Sequence, residues 1–174
     1  MKTAGRGERG YNLTYKKKTA TSDVYLPRGG TQRLSVCDGC HAVYRNKRWY
    51  SDPEQFEELS KSPAAVHMVC PACLKIRDNF PGGIVTLKGG YIVSHRQALL
   101  NLIRNEEERA RQVNPLERVM SIREDGFGKL IVQTTNEKLA QRLGRSIGKA
   151  FHGKVSYNWS HDNKLLRVDW ERAA

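Results

Sequence analysis

The sequence predicts an α+β chain, and three features predict it. All four cysteines stand in two C-x-x-C pairs, Cys37-Asp-Gly-Cys40 and Cys70-Pro-Ala-Cys73. From residue 116 onward, apolar residues recur at every second position in four short runs. Between the second and third of these runs lies one amphipathic helix with a period of about 3.6 residues. Together they divide the chain into a basic arm (1–33), a four-cysteine ribbon module (34–93), a connecting helix (94–113) and a C-terminal ββαββ antiparallel-sheet domain (114–174).

The arm is set apart by charge. Thirty Lys and Arg against 18 Asp and Glu give a net +12, and residues 1–36 alone hold eight cations against two acids. Half of the excess therefore sits in the first 36 residues. With glycines and few large apolar side chains, the arm cannot bury enough surface to offset its ordering entropy and is expected to be disordered alone. Its natural counterpart is a polyanion, with Lys16, Lys17, Lys18, Arg28 and Arg33 as candidate contacts. A lipid surface is disfavoured because the arm forms no amphipathic helix. No window reaches the ~18 to 20 apolar residues of a membrane span and the first residues have no apolar signal core, so the chain is expected in the cytoplasm.

In a reducing cytoplasm two C-x-x-C pairs point to metal rather than to disulfides, and a dithiol redox enzyme needs only one pair. Four thiolates meet the tetrahedral demand of zinc, each C-x-x-C turn bringing two sulfurs to one ion. The 29 residues between the pairs contain a separable insert, "SDPEQFEELSKSP". Ser51 or Asp52 caps it, Pro53 opens its first turn, Phe56 and Leu59 stand at helical spacing, and Ser62-Pro63 ends it. A rubredoxin-type iron centre is the alternative ion site, and His41 or His67 are alternative ligands. A four-sulfur site has no open position for water, which argues for scaffolding and against metal catalysis. Just after Cys40, the cations Arg45, Lys47 and Arg48 lie among Tyr44, Trp49 and Tyr50, a mixture that can neutralise phosphates and stack on bases. Trp49 reads equally well as the small core of the module.

After Cys73, "NFPGGIVTLKGGYIV" offers the apolar runs Ile84–Leu87 and Tyr91–Val93 around Lys88-Gly89-Gly90, the pattern of a β-hairpin. "SHRQALLNLIRNEEERARQV" follows as a helix capped by Ser94, its charged second half suited to a spacer, and Asn114-Pro115 ends it. In "LERVMSI", Leu116, Met120 and Ile122 share one parity with Arg118, and Glu124 to Gly128 turn the chain into "KLIVQTT". A helix capped at Thr135 or Asn136 runs to a stop at Gly153. Val155, Tyr157 and Trp159 alternate in a third strand, a His161-Asp162-Asn163 loop follows, and Leu166, Val168 and Trp170 alternate in a fourth.

The helix of this half divides by chemistry. Leu139, Leu143, Ile147 and Ala150 share about a third of its circumference, whereas Lys138, Arg142, Arg145 and Lys149 fall within about 60° on a roughly opposed side. An ordinary solvated face mixes signs, so this stripe is a candidate polyanion contact. Gly144 and Gly148 lie beside it and leave room for the close approach of a backbone, nucleic acid included.

No phosphate-binding loop, dinucleotide fingerprint, nucleophile elbow or H-E-x-x-H stands in the sequence, and the five histidines have no paired acids at a recognisable spacing. The order of "CDGC", "CPACLKIRD", "GGIVTLKGGYIVSHR", "LLNLIRNEEERA", "NPLERV" and the last ββαββ unit resembles a group of small bacterial zinc-ribbon proteins, over residues 34–172. That group is similar in turn to the zinc-binding and following α+β portions of the archaeal and eukaryotic nuclear export adaptor of the large ribosomal subunit. The adaptor's further paired cysteines and domains have no counterpart in these residues. The resemblance implies Zn2+ at Cys37, Cys40, Cys70 and Cys73, with ribosomal RNA and ribosomal proteins as partners. The expectation is a monomeric, zinc-stabilised RNA-binding protein, not an enzyme, without a membrane or small-molecule substrate. It would sit on the ribosome or a subunit as a stress or hibernation factor. A DNA-binding transcriptional regulator and a rubredoxin-like electron carrier are the alternatives.

Overall fold

The computed structural model describes residues 24–25, 33–126, 128–160 and 164–173. Lys16, Lys17, Lys18 and Arg28 of the arm and the His161-Asp162-Asn163 loop lie outside them. Four three-residue strands, β1 (Ser35–Cys37), β2 (Val43–Arg45), β3 (Arg48–Tyr50) and β4 (Val66–Met68), form a small sheet in the order β3-β2-β1-β4. β1 runs antiparallel to β2 and parallel to β4. Asn46 and Lys47, both at positive φ, make the two-residue turn that matches the twist of the β2–β3 hairpin. Helix α1 (Pro53–Ser60) occupies the predicted insert, with Asp52 accepting from Gln55 N at 3.0 Å and Pro53 in the first turn. Helix α2 (Pro71–Arg77) starts inside the second cysteine pair.

The larger unit contains β5 (Gly83–Lys88), α3 (Tyr91–Val113), β6 (Val119–Asp125), β7 (Lys129–Thr134), α4 (Glu137–Phe151), β8 (Lys154–Trp159) and β9 (Leu166–Glu171). Its five strands lie in the order β6-β7-β5-β9-β8. β5 is antiparallel to β7 and parallel to β9, so the sheet is mixed rather than purely antiparallel. β5 and β6 flank β7, both antiparallel to it, which makes β5-α3-β6 a split βαβ unit.

This placement corrects the sequence reading between residues 83 and 113. The hairpin of Ile84–Leu87 with Tyr91–Val93 does not form, because the second run is the first turn of α3. Gly89, at φ +113, lies with its Cα against the carbonyl of Arg172, where a side chain would collide, and turns the chain off the sheet. Ile92 is then buried with Leu99 and Leu100, and the Tyr91 ring stacks on His95 one turn later at 3.7 Å. Ser94 does not cap the helix; it donates to the Tyr91 carbonyl just before a break at His95. Nor is α3 a spacer. Leu99, Leu100, Ile103 and Ala110 join the main core. The C-terminal unit is therefore βαββαββ and begins at Gly83, with β5 at the centre of its sheet.

The rest of this half follows its alternation. Leu130 and Val132 of β7 and Leu166, Val168 and Trp170 of β9 are buried beneath Leu139, Leu143 and Ile147 of α4. Asn136 caps α4, accepting from Leu139 N at 3.0 Å, and Gly153 follows its end at φ +88. The helix glycines serve this packing. A Cβ at Gly144 would lie 2.6 Å from Val168 Cγ1 and 3.1 Å from Tyr157 Oη, and one at Gly148 would lie 2.8 Å from Val155 Cγ2. The close approach expected of a partner backbone is made by the protein's own sheet.

Gly144→Ala tests that account, because two effects oppose. Alanine gains about 1 kcal/mol of helix propensity, whereas overpacking a filled core costs about 1 to 3 kcal/mol. Val168 is fully buried and cannot yield, so the variant is expected to lower the urea midpoint. A rise would mean that the helix stands off the sheet.

Candidate metal centre and basic surfaces

Each cysteine pair closes a turn at the end of a short strand. Cys37 ends β1, His41 N donates to the Cys37 carbonyl at 2.9 Å, and Cys37 N donates to Ala42 O at 2.8 Å. The second turn is the start of α2, where the Cys70 sulfur is itself the helix cap and accepts from Cys73 N at 3.4 Å. The parallel β1–β4 pairing, tied onward by Asp38 N donating to Met68 O, brings the two turns together. Gly39 permits their contact, since a Cβ there would come within 3.1 Å of Cys73 Sγ.

The four Sγ atoms lie within 4.8 Å of one another, and no disulfide joins them. Cys37 and Cys73 are 3.9 Å apart and Cys40 and Cys70 are 3.6 Å apart. A tetrahedral ion with metal–sulfur bonds near 2.3 Å spaces its sulfurs by about 3.8 Å, so the set fits a four-coordinate metal ion. Cys37 and Cys70 are buried and Cys40 and Cys73 half-buried. Cys70 N donates to Cys37 Sγ at 3.2 Å and Arg118 Nη1 donates to Cys73 Sγ at 3.3 Å, both directed at sulfurs that become negative on ionisation. Hydrogen bonds from Cys40 and Cys70 hold the Cys37 thiol well below its usual range. The same bond to Cys37 pushes Cys40 up to about 11 and raises Cys70.

Neither candidate histidine belongs to the sulfur set. His41 stacks on Phe56 at 4.3 Å. His67 Nδ1 lies 2.7 Å from Asp38 Oδ1, and that carboxylate holds the imidazole above its ordinary range.

Arg118 and Lys75 were missed by the sequence reading as supports of the centre. Arg118 had left a trace, as the one cation sharing the parity of Leu116, Met120 and Ile122. Lys75, only 8 % exposed, reaches from α2 to the Thr135 carbonyl at 3.1 Å. The Thr135 hydroxyl donates to Leu116 O at 2.5 Å and accepts from Arg118 N at 2.9 Å. Leu116 also packs against the cysteine cluster. The two sheets are thus joined beside the cysteine cluster. Tyr25 of the arm also contacts this side, its hydroxyl donating to Asp78 at 3.1 Å and its ring lying 5.5 Å from Phe80.

The candidate nucleic-acid contacts divide into buried, paired and exposed side chains. Trp49 is 5 % exposed and tilts against Tyr44 at 5.1 Å, so it is the core of the module and cannot stack on a base. Arg45 is partly engaged with Asp52 at 3.8 Å and lies over the Tyr50 ring at 4.8 Å. Lys47 and Arg48 stand exposed at the β2–β3 turn, and Arg33 is exposed ahead of β1. Along α4, Lys138, Arg145 and Lys149 are exposed and Arg142 half-buried. Among the described residues none of these four has an ion-pair partner. No described helix is long and apolar enough to cross a membrane. In comparisons with known proteins, no family model, no curated protein and no solved structure matches the chain.

A chelator-competition titration tests the sulfur geometry in two ways. Thiols must lose their protons to bind an ion, so apparent affinity is expected to rise from pH 6.5 to pH 8; a flat profile would contradict binding through thiolates. Arg118→Met removes the bond to Cys73 and is expected to weaken ion affinity by about 10- to 100-fold. Unchanged affinity would make Arg118 a bystander.

Proposed function

We propose that this is a non-enzymatic, zinc-stabilised RNA-binding protein of the cytoplasm that associates, as a monomer, with the ribosome or a ribosomal subunit. The α4 stripe carries the reading. Lys138, Arg142, Arg145 and Lys149 share one helix face, and no acid within the described residues neutralises them. A row of unpaired cations raises the local potential and attracts phosphates. Lys47 and Arg48 add a second cationic point on the small sheet, and the arm adds Lys16, Lys17, Lys18 and Arg28. The preference for zinc follows from a closed set of four thiolates, which suits a structural d10 ion and leaves no position for catalysis. Duplex DNA is the alternative partner: its readers present Arg, Asn or Gln to base edges from a recognition helix, and the stripe is Lys and Arg with only Gln141 nearby.

Sedimentation of lysate through sucrose gradients, with the protein followed by blotting, tests the partner. It is expected to travel with ribosomal particles at low salt and leave them at high salt. Remaining at the top of the low-salt gradient from both growing and starved cells would overturn the ribosome reading. With purified protein and ribosomal RNA, replacing the four stripe cations by glutamine is expected to flatten the slope of log affinity against log salt by about 3, from roughly 0.7 per lost phosphate contact. An unaltered slope would remove the stripe from the interface.

A further inference from the structure

Tyr157 and Trp159 stand on β8 at alternate positions, on the face of the sheet that α4 covers, yet they are 39 % and 41 % exposed. The packing explains why. Gly148 lies against Val155, and Gly144 lies against Tyr157 and Val168. The row that pairs Gly83 with Leu166 and Leu166 with Trp159 lies at the level of Ala140, whose Cβ is the nearest neighbour of Gly83. Strand residues 155, 157 and 159 are therefore level with helix residues 148, 144 and 140. Two residues of a strand advance about 6.7 Å and four residues of a helix about 6.0 Å, so the two elements run past each other in step. Opposite Tyr157 the helix offers Gly144, which is too small to cover the ring, whereas Ala140 is turned toward Gly83 of β5.

The residues that follow these small positions on α4 are Gln141, Arg145 and Lys149, each about 100° further round the helix. Arg142 and Lys138 continue the stripe beyond them. The surface thus has an aromatic row at a sheet edge and a cationic row alongside. After Glu137, neither α4 nor β8 contains an acid. Its charge complements a polyanion, and its rings complement flat apolar faces. Base-paired nucleic acid hides such faces inside the stack, whereas unpaired bases expose them. The strand spacing separates the rings by about twice the 3.4 Å rise between stacked bases, which leaves room for one base between them or one on each.

We infer that the β8–α4 surface binds single-stranded RNA, with Tyr157 and Trp159 stacking on unpaired bases and Arg145, Lys149, Lys138 and Arg142 neutralising the adjoining phosphates. This rests on the RNA-binding reading above and adds the strand state that is recognised.

Fluorescence anisotropy with a labelled unstructured RNA oligonucleotide, using full-length metal-loaded protein, measures it. Single-stranded RNA is expected to bind the wild type more tightly than a duplex of the same sequence. Tyr157→Ala and Trp159→Ala are each expected to weaken binding about tenfold, with no change in salt slope, whereas Tyr157→Phe and Trp159→Phe retain it. RNA is also expected to quench wild-type tryptophan emission, and Trp159→Phe to abolish the quench. That readout needs no alanine variant to fold. Full affinity in both alanine variants, a quench that survives Trp159→Phe, or equal affinity for duplex would each overturn the inference while leaving RNA binding in place. A wild type that binds no RNA would overturn both.

Discussion

Four sulfur atoms within 4.8 Å of one another repel once ionised, and a metal ion at their centre would offset that repulsion. The strands around it cannot impose that geometry alone. Each has three residues, and the buried cluster beside the sulfurs contains little beyond Ala42, Tyr44, Trp49 and Ala72. A core of this size is small for a module that folds unaided, and an ion held by the four cysteines would add to its stability. The directed N–H groups of Cys70 and Cys73 and the Arg118 guanidinium act in the same sense, lowering the cost of gathering thiolates in a half-buried place.

The same centre ties the two sheets together. Lys75 and Arg118 reach across the junction in opposite directions, one to the Thr135 carbonyl and the other to the Cys73 sulfur, and Thr135 accepts from Arg118 N. A buried lysine is costly unless its protons find acceptors, and the carbonyl just ahead of the Asn136 cap of α4 is such an acceptor. The start of α4 is thereby fixed relative to the second cysteine turn.

How much of this could be read from the chain depended on how local the deciding interaction was. The cysteine set, the capped insert α1, the limits of α4 and the alternation of β7 and β9 are each written within a few consecutive residues, and the structure agrees with them. The strands β1 to β4 are too short to show a period. The run from Ile84 to Leu87 reads correctly as a strand, yet nothing within it says that its neighbours are β7 and β9, dozens of residues away. The Lys88-Gly89-Gly90 stretch favoured a hairpin because two glycines between apolar runs usually make one. In the fold, Gly89 is needed to clear the Arg172 carbonyl, a contact with the far end of the chain.

Tyr157 and Trp159 show the limit of alternation as a signal. Period-two patterning gives the face on which a side chain lies, and here it gives the inner face correctly. Whether that face is covered depends on the opposite element, and on α4 the position against Tyr157 is Gly144. Gly144 lets the helix seat closely on Val168, and Tyr157 and Trp159 at the sheet edge remain 39 % and 41 % exposed. A larger residue there would have covered the Tyr157 ring only by lifting α4 off its core. One packing constraint therefore accounts both for the close helix–sheet contact and for the open Tyr157 ring beside the cations.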